Sequence, residues 1–169
     1  FRELEASSKS DRIVQEESLF QLIGIGIEQK DWKAVSTTHD QLTSRFPKSR
    51  HRFEAAFFLS DAQLNQNKLV QAEATLIALQ QKQDDETVAR ESWYPHMWVR
   101  LAEVFFRRQN YTQVKATVEA FRRWDPESPF FYRAEAILGR SYKNQADKFD
   151  EARTAFERVI NSKHGRRTE

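Results

Sequence analysis

An all-α chain built of four helix–turn–helix hairpins is the fold this sequence predicts, and three observations predict it. Leu22, Leu59, Leu101 and Leu138 recur at separations of 37, 42 and 37 residues. Large or small apolar residues follow these leucines at matching offsets: Trp32, Leu69 and Tyr111 ten residues on, Val35, Ala72 and Val114 thirteen on, and Leu42, Leu79 and Phe121 twenty on. Phe149, Ala152 and Val159 continue each series one residue late. Spacings of three and four residues gather such side chains on one helical face, and a fixed period of self-similarity signals a stacked array. Finally, four Gly and four Pro among 169 residues are too few turn formers for an all-β fold.

Taken in order, residues 1–10 are charged and serine-bearing, with Leu4 as their one aliphatic residue beyond Ala, and read as a tail or a helix extension. The repeat domain spans 11–164, with repeats at about 16–47, 53–84, 95–126 and 132–164, and a tail at 165–169 follows the helix-stopping Gly165. The first hairpin turns at Lys30-Asp31, where Asp31 is placed to cap the second helix by accepting from an orphaned backbone N–H. Asn67, Asn110 and Asp147 stand at the comparable turns. Gly24-Ile25-Gly26 lacks the third glycine and the preceding strand of a dinucleotide loop, so it predicts close helix approach instead.

The third helix starts near Ser49 and the fourth covers about 68–81. Residues 80–92, rich in Gln, Asp and Glu, interrupt the period, and partial helix is expected because 86–91 contains nothing that breaks one. Pro95 suits the first turn of the fifth main helix, where its missing N–H is not needed. Trp98 should pack between hairpins, whereas Trp93 and Tyr94 precede that helix and leave two readings: an aromatic plug, or an exposed partner contact of the kind Trp and Tyr favour. Ser128-Pro129 predicts a cap and a first-turn proline for the next helix.

The stretch 136–160, with Leu138, Gly139 and Tyr142 on one helix and Phe149, Ala152, Phe156 and Val159 on the next, resembles a tetratricopeptide (TPR) repeat. Four such segments in register extend the resemblance over most of the chain, although their period exceeds the family's usual 34 residues. The resemblance implies a right-handed superhelical solenoid that binds protein segments in a concave groove. Residues 46–49 (Phe-Pro-Lys-Ser) and 125–128 (Asp-Pro-Glu-Ser) are similar to loops of bacterial outer-membrane assembly lipoproteins and Tol–Pal-associated periplasmic TPR proteins. That narrower likeness implies a scaffold in a cell-envelope assembly, in the periplasm or at the outer membrane, with the cytoplasm left open.

By the same resemblance the groove is lined at fixed offsets from each leucine: Phe20, Gly24, Ile27 and Glu28; Phe57, Asp61, Leu64 and Asn65; Val99, Glu103, Phe106 and Arg107; Ala136, Arg140, Lys143 and Asn144. Arg100 and Arg133 add to its rim. An apolar anchor over Phe20, Phe57 and Leu64 and an acidic segment near Arg107, Arg140 and Lys143 are expected. The carboxylate clamp of chaperone-binding TPR proteins is not matched, since Phe20, Gly24, Phe58 and His96 replace its polar residues and Arg100 alone remains. Stability should come from burial between neighbouring hairpins, so removing Tyr142 or Phe149 should cost roughly 3–5 kcal/mol.

Chemistry is harder to find. His39, His51, His96 and His164 show no ligand spacing, there is no cysteine, and no nucleophile elbow or phosphate loop occurs. No catalytic residue, metal or cofactor is therefore expected, nor is any stretch apolar enough to span a membrane. A net charge of +2 is too small for a nucleic-acid surface. Residues 96–144 nevertheless hold nine Lys/Arg against five Asp/Glu, so basic charge is concentrated in that part. A chain opening on Phe1 rather than Met reads as a domain of a longer protein. Two alternatives to a binding scaffold stay open: a regulatory or sensor domain in contact with its own neighbouring domains, and a nucleic-acid-binding helical repeat.

Overall fold

A computed structural model describes residues 2–162 of the protein, with side chains from residue 11 onward. Among these residues every regular element is a helix: α1 Arg2–Glu28, α2 Trp32–Arg45, α3 Arg52–Asn65, α4 Leu69–Gln80, α5 Glu86–Ala89, α6 Tyr94–Arg107, α7 Tyr111–Trp124, α8 Phe131–Lys143 and α9 Phe149–Asn161. The chain is an all-helical repeat, as its periodicity requires. His164 and the 165–169 tail lie outside the described residues.

The hairpin turns share one backbone device. Lys30, Asn67 and Gln109, each eight residues past its leucine, are the non-glycine residues with positive φ among those described, at 57°, 58° and 58°. The equivalent place in the fourth hairpin is Ala146, and there the extra residue of the turn replaces the left-handed one. In the first and third turns the next residue caps the second helix: the Asp31 carboxylate accepts from the Ala34 N–H at 3.0 Å and the Asn110 side chain from the Gln113 N–H at 3.3 Å. Two cap assignments need correction. Asn67 is the left-handed residue itself, and Lys148, not Asp147, precedes α9, with no side-chain cap.

The chain divides into two compact units, Phe1–Thr75 and Leu76–Glu169. In the first, Leu19 and Ile23 of α1, Val35 and Leu42 of α2, Phe46, and Ala55 and Ala62 of α3 form a buried cluster. Gly26 is needed here, because a Cβ would lie 2.8 Å from Val35 Cγ2. The predicted role of the other glycine does not hold: a Cβ on Gly24 would meet nothing within 4 Å. Leu22 also departs from expectation, being exposed. Buried Leu19, Ile23 and Gly26 turn toward the neighbouring helices, and the leucine's own face is uncovered.

Large rings fill the second unit. Trp98 and Phe121 stack at 6.0 Å between centroids, Trp124 lies 6.1 Å from each, and Phe131 meets Phe121 edge-on at 5.6 Å. Tyr94 donates its hydroxyl to the Leu79 carbonyl at 3.1 Å. Both Tyr94 and Trp93 are buried, so they act as the aromatic plug and not as an exposed contact. The interruption before them contains α5, capped by the Asp85 carboxylate at the Thr87 N–H and pinned by buried Val88. Ser128 makes no cap: Phe130 occupies that position, and the Ser128 hydroxyl is buried without a hydrogen-bond partner. Phe149 is exposed and Tyr142 only half-buried, which removes the large stability cost expected of the former.

Candidate functional site

In the second unit, α6 and α8 pack together and bring equivalent residues of successive hairpins into contact. Glu103 of α6 accepts from Arg140 of α8 at 2.7 Å, and the Arg140 guanidinium lies 4.8 Å from the Phe106 ring centroid. The ion pair fixes the flat guanidinium over the ring, so Arg140 is held in place and not a freely moving cation. Further along α8, the Arg133 guanidinium donates to the Tyr132 hydroxyl at 3.2 Å and sits 5.8 Å from the Phe130 ring, which packs on His96 at 4.0 Å.

Positions 133, 140 and 143 recur at helical spacing, so Arg133, Arg140 and Lys143 share an exposed stripe of α8. Arg107 is exposed on α6, with Arg100 half-buried one turn or so before Glu103. Five basic side chains among the sequence-predicted residues stand on these two helices, Arg100, Arg107, Arg133, Arg140 and Lys143, with Arg140 paired to Glu103.

The predicted residues of the first unit are arranged differently. Phe57 and Leu64 are buried, so they offer almost no surface for an apolar anchor. Asp61 is half-buried, and its backbone carbonyl accepts from the Asn65 amide at 2.8 Å. Phe20 stacks on His51 at 4.1 Å with the rings 13° apart. Beside that pair lies a polar junction that sequence reasoning missed. Glu17 accepts from Gln21 at 2.9 Å and Arg50 at 3.0 Å and pairs with His51 at 3.0 Å, while Ser49 donates to Glu16 at 2.6 Å. Bonds from Gln21 first, then Arg50 and His51, hold the Glu17 carboxyl down to about 2.

Glu135 was also missed, and it had a readable signal. It stands three residues before its leucine, where the other hairpins carry Leu19, Ala56 and Trp98. A carboxylate at an apolar position of a repeat must find partners, since an unpaired buried charge is costly. Glu135 is 1% exposed and accepts from Arg122 of α7 at 2.9 Å and from Arg158 of α9, joining three helices. Two guanidiniums offset its buried charge and tie the three helices together. Among the described residues no group of three or more His, Asp or Glu is arranged to hold a metal ion, and no helix is long and apolar enough to cross a membrane.

Residues 5–169 match a family described as a tetratricopeptide repeat-like domain. The chain belongs to that family. No curated protein matches it. TPR-like domains generally bind protein partners and act as non-catalytic scaffolds.

Proposed function

We propose that this TPR-like domain is a protein-binding scaffold whose α6–α8 face holds an acidic segment of its partner, as part of a bacterial cell-envelope assembly. The observation that carries the binding mode is the exposed stripe of Arg133, Arg140 and Lys143, flanked by Arg107, in which Arg140 is paired with Glu103. Cations on such a face steer encounter and discriminate by charge more than they add raw affinity. Aromatic rings beneath them, Phe106 and Phe130, provide a firm floor. Because Phe57 and Leu64 are buried, no apolar anchor is assigned to them.

Fluorescence anisotropy with a labelled oligo-glutamate peptide tests this reading. Binding should weaken steeply with added salt and fall at least about tenfold in an Arg133→Glu, Lys143→Glu variant, since each unfavourable rim charge acts on encounter and register. Equal affinity of the two proteins would remove the basic face from the mechanism. The envelope assignment rests on the two Pro-x-Ser loops, and fractionation of the full-length protein checks it separately: recovery in the cytosol would overturn that part alone.

A further inference from the structure

Two helices of this repeat, α1 and α9, carry large apolar side chains that are exposed among the described residues. On α1, Leu22 is 51% and Ile25 46% exposed, and with Ile13 and Val14 they line an open apolar groove of about 670 Å³. On α9, Phe149 is 63% and Ile160 67% exposed.

The repeat register explains both stripes. Ser18, Leu22 and Ile25 are equivalent to Ala55, Leu59 and Ala62 of α3 and to Ala134, Leu138 and Ser141 of α8. Ala55 and Ala62 pack into the cluster formed with α1 and α2, and all three α8 residues are buried. These are the places at which one hairpin receives its predecessor. Phe149, Phe156 and Ile160 are equivalent to Trp32, His39 and Thr43 of α2 and to Tyr111, Val118 and Arg122 of α7. From there a hairpin meets its successor: Gln66 donates to the Trp32 carbonyl at 2.9 Å, Asn144 to the Tyr111 hydroxyl at 3.4 Å, and Arg122 to Glu135 at 2.9 Å.

We propose that the α9 stripe of one copy packs on the α1 stripe of a second copy, making between molecules the joint that α2 makes with α3 and α7 with α8. A second copy is the occupant because this chain carries both halves of the joint, each with large apolar side chains exposed among the described residues. Charge agrees. Arg153 stands where Ser36 stands on α2, opposite the place of Gln66, and the α1 residues at that end are Gln29 and exposed Glu28. The contact is heterologous: it joins two different faces and not one face to itself.

Sedimentation of the full 169-residue chain over a concentration series reaching the millimolar range tests it. The average mass should rise with concentration above that of the monomer. Leu22→Asp spoils the receiving stripe and Ile160→Asp the donating one, so each variant alone should stay monomeric. Mixed in equal amounts they should form a one-to-one pair that grows no further, because each retains one intact stripe. Both sites are about half exposed or more, and circular dichroism checks that helix content is unchanged. Leu22→Gln and Ile160→Gln replace any aspartate variant that loses helix. A wild-type chain that is monomeric throughout overturns the proposal. So does association abolished by Leu22→Asp but untouched by Ile160→Asp, which would mean two α1 faces meeting, or a mixture that stays monomeric while the wild type associates.

Discussion

Glu103 and Arg140 occupy the same place in successive hairpins, 37 residues apart, and bond each other at 2.7 Å across α6 and α8. Equivalent positions of neighbouring hairpins therefore lie side by side on this face, and the Glu103 carboxylate offsets the charge of Arg140. Glu103→Gln leaves the packing intact and removes that competitor. Its affinity for oligo-glutamate should rise severalfold over the wild type in the anisotropy assay, with a steeper salt dependence. An unchanged constant would mean that Arg140 does not meet the peptide.

The glycine pair on α1 should respond in opposite directions. Alanine at Gly24 meets open space and brings better helix propensity, so Gly24→Ala should stabilise by about 0.5–1 kcal/mol. Alanine at Gly26 collides with Val35 Cγ2, a fully buried β-branched side chain, so Gly26→Ala should destabilise by about 1–3 kcal/mol. Urea unfolding of the two variants gives both signs, and equal shifts would contradict the close approach of α1 and α2.

Rings of similar size should differ greatly in what they contribute. Trp98 is fully buried between Phe121 and Trp124, so Trp98→Ala should cost about 3–5 kcal/mol. Phe149 is largely exposed, and Phe149→Ala should stay within about 0.5 kcal/mol at concentrations where the chain is monomeric. Thermal unfolding of dilute protein separates them, and a large loss for Phe149→Ala would show it covered in the monomer.

Acid should act through Glu17. Its carboxyl is depressed from about 4.5 to about 2 by Gln21, Arg50 and His51, so its bonds stabilise the fold above the ordinary carboxylate range. That contribution is lost as pH falls from about 4.5 toward 2, where the folded state finally takes up the proton. Glu17→Gln cannot lose it. The gap in urea midpoint between wild type and variant should be full at pH 6 and shrink through that window, and a pH-independent gap would detach Glu17 from acid unfolding.

Much of the fold was legible because helices announce themselves locally. Recurring leucines, apolar steps of three and four, and Asp31 and Asn110 at turns are all properties of short stretches, and short-range sterics and hydrogen bonding enforce them wherever the chain lies. The cation stripe of α8 follows from the same spacing. Errors arose where a side chain's fate depends on a neighbour distant in sequence. Leu22 and Phe149 fit the repeat as well as Leu101 and Tyr111 do, yet they are exposed, because burial depends on which helices pack against each residue and periodicity does not give that.

What the residues dictated unaided is thus the helical hairpin, its period and its turns, since those depend on contacts within a few residues. Folding in three dimensions settled the rest: Glu17 gained partners from the next hairpin, Glu135 acquired two arginines from two helices, and Arg140 was taken up by Glu103. Charge pairing acts over a few ångströms of space regardless of chain separation, so only packed helices could assign those partners.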